Sequence, residues 1–352
     1  MSLFSPFQLR TIEFRNRIGV SPMCQYSAVD GHPGTWHLVH LGSRAVGGAG
    51  LVVAEASGVS AIGRISPGDT GLYLDSHVDA WRPIAKFIRE NGAVPGIQLA
   101  HAGRKASTRA PWLDGSWLPE SEGGWTSVAP SAIPFSDKSG TPHALTIPEI
   151  HLIIEEFRAA ARRALAAGFQ FVEIHSAHGY LLHEFLSPFS NHREDEYGGS
   201  FENRTRLLLQ TAQAVRDLWP QELPVSVRIS ATDWKEGGWD LPQSIELARR
   251  LKAIGIDIID VSSGGNLPQV QIPVGPGYQV EFSEAIRREA GIPTAAVGFI
   301  VEPTQADTIL LSGQADMVFL AREFLRDPYW PRRAAKSLGL KLKPPVQYER
   351  AW

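Results

Sequence analysis

The apolar positions of the chain fall into one recurring unit: an amphipathic helical stretch, a glycine, then a short apolar run. Ala164-Leu165-Ala166-Ala167-Gly168 leads into Phe171-Val172-Glu173-Ile174, and Leu251-Lys252-Ala253-Ile254-Gly255 leads into Ile256-Asp257-Ile258-Ile259-Asp260-Val261. The unit returns with Gly92 before Val94, Gly291 before Thr294 and Gly313 before Asp316. Runs that are apolar without alternation predict strands covered on both faces. Each glycine suits the left-handed position that closes a helix. Two helix starts are also marked. Thr146 and Glu149 form a capping-box pattern ahead of Ile150, Ile153, Ile154 and Phe157, and Ser200 opens a helix with Leu207, Leu208, Ala214, Val215 and Leu218 on its apolar side.

Eight predicted strands result: Gly19–Met23, Leu51–Ala56, Val94–Ala100, Phe171–His175, Val225–Ser230, Ile258–Ser262, Thr294–Val297 and Met317–Ala321. Eight strands alternating with helices predict an α/β chain folded as a TIM (β/α)8 barrel, in a single domain over residues 1–352. Residues 103–146, with Trp112, Trp117 and Trp125, read as a loop excursion over the barrel mouth, and 340–352 as a C-terminal tail. A doubly wound sheet is the alternative, but no G-x-G-x-x-G follows any strand.

Composition narrows the function. With 352 residues, 43% hydrophobic and 20% charged, the chain can bury a large core. A net charge of -3 offers no basic field for nucleic acid. No apolar window approaches the roughly 18 residues of a membrane span, and Met1 to Arg10 lacks a signal-peptide core, so a cytoplasmic protein is expected. Cys24 is the only cysteine, which excludes internal disulfides, Cys-rich zinc sites and cysteine-bound iron–sulfur clusters within this sequence.

Reactive groups of such barrels sit at the C-terminal strand ends. There the chain places Ser21-Pro22-Met23-Cys24-Gln25-Tyr26, Glu55-Ala56-Ser57, Gln98 with His101 and Arg104, His175-Ser176-Ala177-His178-Gly179-Tyr180, Arg228, Gly298 and Ala321-Arg322. His175 and His178 can hydrogen-bond a carbonyl or nitro oxygen and stabilise charge developing on it. A metal pair is the other reading, but it needs a third ligand, and neither H-E-x-x-H nor a cysteine cluster is present; no metal is expected. Tyr180, a neutral phenol at pH 7, can deliver a proton to a carbanion or simply pack at the rim. Gln98 and Arg228 interrupt apolar strands and need partners, either a bound heterocycle or, for Arg228, an internal ion pair with Glu173 or Asp260. Gly298 and Arg322 follow strands seven and eight, where barrels often hold phosphate. Cys24 reads as an inert buried thiol or as a group touching a cofactor.

In combination these segments resemble the old yellow enzyme family, in its short bacterial branch. Asn16-Arg17-Ile18, Ser21 to Tyr26, Gly48 to Ala56, Gln98 to Arg104, Tyr197-Gly198-Gly199-Ser200 and Tyr348-Glu349-Arg350-Ala351-Trp352 carry the resemblance, which runs from Phe4 to Trp352. It implies an FMN-dependent ene-reductase that takes electrons from NADPH or NADH and reduces enones, maleimides or nitroalkenes. By resemblance Ser21, Pro22, Met23, Cys24, Ala56, Gln98, Arg228, Gly298, Ala321 and Arg322 bind FMN. His175 and His178 then grip the substrate, Tyr26 faces it, and Tyr180 is the proton donor. The family usually has glycine where Ala321 stands, so a methyl there is expected to crowd the phosphate. The resemblance also implies that Arg350 crosses into a neighbouring subunit's site, in a homodimer or homotetramer. A metal-dependent barrel hydrolase or aldolase, and a flavin- or ligand-binding barrel without turnover, are the competing readings.

Overall fold

The computed structural model describes residues 2–351; Trp352, the end of the aromatic tail, lies outside them. The strands are β1 Ile18–Val20, β2 Leu51–Gly58, β3 Val94–Ala100, β4 Phe171–Ser176, β5 Val225–Ser230, β6 Ile258–Ser262, β7 Thr294–Val297 and β8 Met317–Leu320. All pair in parallel and close into a barrel, β8 against β1. Helices alternate with them, among them Thr35–Gly47, Ser76–Glu90, Ile147–Ala167 and Phe201–Leu218. The expected TIM barrel is the observed fold.

Local signals act as their chemistry requires. Gly92, Gly168, Gly255, Gly291 and Gly313 all have φ between +63° and +95°. Glu149 Oε2 accepts the Thr146 N–H at 2.7 Å, and Ser200 Oγ caps the next helix from Asn203 N–H at 3.3 Å. Below the first cap, Ile150, Ile153 and Phe157 are buried and Ile154 is half-buried. In the second helix Leu207, Leu208 and Val215 are buried, whereas Ala214 and Leu218 are only half-buried.

Strand ends differ from expectation, each for a reason. β1 stops at Val20, not Met23. Ser21 N–H makes the last rung, to Leu320 O at 3.0 Å, and Pro22 has no N–H to continue. β8 stops before Ala321, whose φ of -109° and ψ of -96° turn the chain into the helix Arg322–Arg326. β2 runs on to Gly58, with a register shift between Ala54 and Ala56.

A hairpin at the start of the chain escaped the sequence reading. Phe7–Leu9 and Ile12–Phe14 form an antiparallel hairpin that packs with the interior residues Leu51, Val94, Phe171, Met317 and Phe319. Phe14 is 0% exposed, and its ring meets Phe171 edge-on at 6.3 Å. Phe14→Ala is therefore expected to cost about 3–5 kcal/mol in denaturant unfolding. A loss below about 1 kcal/mol would show that the hairpin merely lies on the barrel.

Alternation carries the interior from apolar to polar toward the mouth. Successive positions on one face of β4 are Phe171, Glu173 and His175. On β6 they are Ile258, Asp260 and Ser262, and on β5 Ser226, Arg228 and Ser230. The register places His175 beside Arg228 and Arg228 beside Asp260.

Candidate active site

The turn after β4 concentrates the chemistry. The His175 ring stands edge-on to His178, with centroids 5.2 Å apart, and to Tyr180 at 5.0 Å. His178 has φ of +60° and Gly179 φ of +72°, two left-handed residues in succession. A Cβ on Gly179 would lie 2.3 Å from Gly265 O, so only glycine lets these loops interlock. Five side chains pin the turn. His178 N–H donates to Ser230 Oγ at 2.9 Å, and Ser230 O–H to Gly264 O at 2.8 Å. Lys105 Nζ donates to His178 O at 2.8 Å and to Gly265 O at 3.0 Å. Gly179 N–H donates to His183 Nδ1 at 2.9 Å. His183 Nε2 in turn lies 3.1 Å from Asp233 Oδ1, both side chains at 0% exposure, and His178 Nε2 lies 2.7 Å from Ser262 Oγ.

Electrostatics suit a hydrogen-bonding pair. His175 Nδ1 accepts the Ala177 N–H at 3.3 Å, which leaves the proton on Nε2. Burial, and then the Arg228 charge, holds both imidazoles well below the ordinary histidine value. They are neutral donors rather than cations. Burial likewise keeps the Tyr180 phenol protonated. The Lys105 ammonium lies 5.2 Å from the Tyr180 ring centre, and burial pushes its pKa down to about 8.

Above the turn opens a cleft of about 510 Å³, lined by Tyr26, Lys105 and Tyr180 and by Trp117 and Phe135. Lys105, Trp117 and Phe135 belong to the 103–146 segment. It folds as short turns plus a two-residue ladder, Val128–Ala129 with His143–Ala144. Tyr26, at φ of +49°, packs edge-on against Trp112 at 5.8 Å. Burial, followed by Asp69 and Glu55, pushes the Cys24 thiol up, so it is no thiolate.

The floor fits a flat heterocycle bearing a phosphate. Ser21 Oγ is buried and has no partner among the described residues, an orphan suited to a bound polar group. It leads directly to Pro22, Met23 and Cys24, and Ala56 is buried at the bulged end of β2. Gln98 Nε2 donates to Glu173 Oε1 at 2.8 Å, which leaves its carbonyl to accept. The ion pair left open by the sequence is present: Arg228 Nε lies 3.0 Å from Asp260 Oδ2. A guanidinium has five N–H donors, so this leaves donors to spare. Nearby, a cleft of about 210 Å³ is lined by Gly298, Phe299, Ala321 and Arg322. At Gly298, φ is +118° and a Cβ would sit 2.7 Å from Gln279 Nε2. Ala321 lines this cleft with a negative φ, so its methyl imposes no left-handed strain.

Of two other residues grouped with the mouth, Arg104 lines the cleft, and both brace the surrounding loops. His101 Nδ1 accepts the Gly103 N–H at 3.1 Å, and Arg104 Nη2 donates to Asn266 O at 2.7 Å. Arg350 is exposed in the turn Val346–Ala351, where Tyr348 tilts toward Tyr329 at 6.5 Å; it does not line its own chain's cleft. Lys105, His183, Asp233, Ser230 and Ser262 were not found from sequence. Their roles arise from distant segments that only barrel closure brings together.

A closed barrel with a hydrogen-bonding turn, a polar floor and a cleft beside Arg322 suits a barrel enzyme that holds a cofactor. The sequence model of the NADH:flavin oxidoreductase / NADH oxidase family matches residues 2–341. An NADPH dehydrogenase of Geobacillus sp. (strain WCH70) is 51% identical over 99% of this chain and 98% of its own. Among solved structures, morphinone reductase in complex with tetrahydroNAD superposes with a TM-score of 0.81 at 28% identity, covering 99% of this chain and 94% of that one. The old yellow enzyme homologue from Zymomonas mobilis gives 0.79 at 29%, over 99% and 96%. The chain belongs to the NADH:flavin oxidoreductase / NADH oxidase family. It is an FMN-dependent oxidoreductase of the old yellow enzyme type that draws on NAD(P)H. Among the described residues no helix is long and apolar enough to cross a membrane.

Proposed function

We propose that this enzyme reduces the C=C bond of activated alkenes, with enones, maleimides and nitroalkenes as its substrate class. The observation that carries the reading is the turn His175–Tyr180: two neutral imidazoles and a protonated phenol within ring-contact distance, the phenol lining the cleft. His175 Nε2–H and the His178 ring hold the activating oxygen and stabilise charge that grows on it. Tyr180 O–H protonates the α-carbon. Tyr26 and the excursion wall orient the alkene and exclude water. When bound, FMN supplies the hydride, taken from NAD(P)H. Ser21, Pro22, Met23, Cys24, Ala56, Gln98 and Arg228 hold its ring, and Gly298, Ala321 and Arg322 its phosphate. Cys24, as a neutral thiol, tunes that ring rather than attacking anything.

The same reading makes the enzyme a cytoplasmic homodimer or homotetramer in which Arg350 completes a neighbour's mouth. An anaerobic absorbance trace tests the core of it. The flavin band should bleach with NADPH and return on adding 2-cyclohexenone. A band that bleaches but never returns would remove the alkene substrates, and a band that never bleaches would remove the NADPH step.

A further inference from the structure

Beneath the mouth lie two carboxylates that no step above uses. Glu173 and Asp260 are both 0% exposed. Glu173 Oε1 accepts from Gln98 Nε2 at 2.8 Å and its Oε2 accepts the Ser226 O–H at 3.0 Å. Asp260 lies 3.0 Å from Arg228 Nε, yet neither of its oxygens has a well-aligned hydrogen bond among the described residues.

One guanidinium therefore faces two enclosed acids. A buried cation balances one buried anion, and a second ionised carboxylate in the same pocket is costly. The cluster accordingly favours holding a proton. Burial, followed by the Asp260 charge, pushes Glu173 up, while Arg228, Gln98 and Ser226 oppose the shift. Burial also raises Asp260 against the pull of Arg228. The groups facing Glu173 are thus Gln98 from β3, Ser226 and Arg228 from β5 and Asp260 from β6. On its own strand, His175 stands two residues on and is held neutral.

Gln98 and Arg228 are also the floor of the cofactor site, so the acids sit directly behind the groups that would meet the ring. Any negative charge placed on that ring must repel them. We propose that Glu173 and Asp260 form a proton-sharing pair that takes up one proton when the bound cofactor is reduced, and so shapes the pH dependence of its midpoint potential. This rests on the FMN reading of the site. The balance is simple. Hydride from NAD(P)H brings two electrons and one proton to the ring and leaves NAD(P)+. The second proton comes from solvent, and an ionised carboxylate oxygen of the pair becomes O–H. The added negative charge is compensated within the pocket, and no carbon bond in the protein changes.

The test is a spectroelectrochemical titration of the FMN-loaded protein from about pH 5 to about pH 10. For a two-electron couple, each proton taken up adds about 30 mV per pH unit to the slope. The wild type should show an alkaline segment with roughly twice the one-proton slope, about 60 mV per pH unit. Glu173→Gln should hold FMN and lose that segment. Ser226→Ala removes a donor to the ionised carboxylate and should move the segment to higher pH. A wild type without the segment overturns the proposal, as does a Glu173→Gln protein that keeps it. If Glu173→Gln fails to fold, an unmoved segment in Ser226→Ala overturns it equally. A wild-type protein that binds no FMN would instead overturn the cofactor reading itself, and the two failures are distinct.

Discussion

Replacing Tyr180 by phenylalanine is expected to slow reoxidation of the reduced enzyme by an enone about 10²–10⁴-fold, while reduction by NADPH stays near the wild-type rate. The ring would remain, with its edge-on contact to His175 at 5.0 Å and the Lys105 ammonium against its face at 5.2 Å. Only the hydroxyl is lost, so packing and the turn are kept. The selectivity between half-reactions follows from chemistry. Hydride transfer from a nicotinamide asks no proton of the protein, whereas saturating the alkene needs one at the α-carbon. The phenol is suited to give it because burial keeps it protonated over the whole working range. Stopped-flow absorbance, with the two half-reactions run separately, makes the comparison. If reoxidation is unchanged in Tyr180→Phe, the proton comes from water and Tyr180 is a packing residue.

What was legible in the sequence follows from the range of the forces involved. Strand positions and glycine caps are local: Gly168 closes a helix for reasons contained within a few residues, and Phe171, Val172 and Ile174 are apolar because both faces of β4 are covered. The turn from His175 to Tyr180 was legible for the same reason, since its reactive groups are contiguous. The support of that turn was not. Lys105, Asp233, Ser230 and Ser262 approach it from three other segments, and His183 looks like one more buried residue of a short helix. Alternation along β4 predicts that Glu173 shares a face with His175, but not that Asp260, two strands away, bears on it electrostatically. The N-terminal hairpin escaped because three-residue strands carry too little periodicity. The end of β1 was misplaced because apolar Met23 suggested continuation where Pro22 forbids it.

Removing the His175 imidazole is expected to be the other large effect. His175→Ala should lower the reoxidation rate about 10²–10³-fold, equivalent to roughly 2.7–4 kcal/mol of lost stabilisation, with a much smaller effect on reduction by NADPH. The argument rests on preorganisation. The Ala177 N–H at 3.3 Å fixes which nitrogen carries the proton, and Tyr180 and His178 hold the ring from two sides. His175→Gln restores an N–H donor without an imidazole and should recover part of the loss. Charge state supplies an independent check. Burial and Arg228 hold both imidazoles well below the ordinary histidine value, so each donates as a neutral ring. The wild-type reoxidation rate should then stay flat as pH falls from about 8 to about 5.5. A fall centred near the ordinary histidine value of about 6.5 would mean that an imidazole inside the barrel gains a proton there. In that case bound cofactor and substrate would have to reverse the field that Arg228 and burial now impose, and neutral donation could not be the source of the rate.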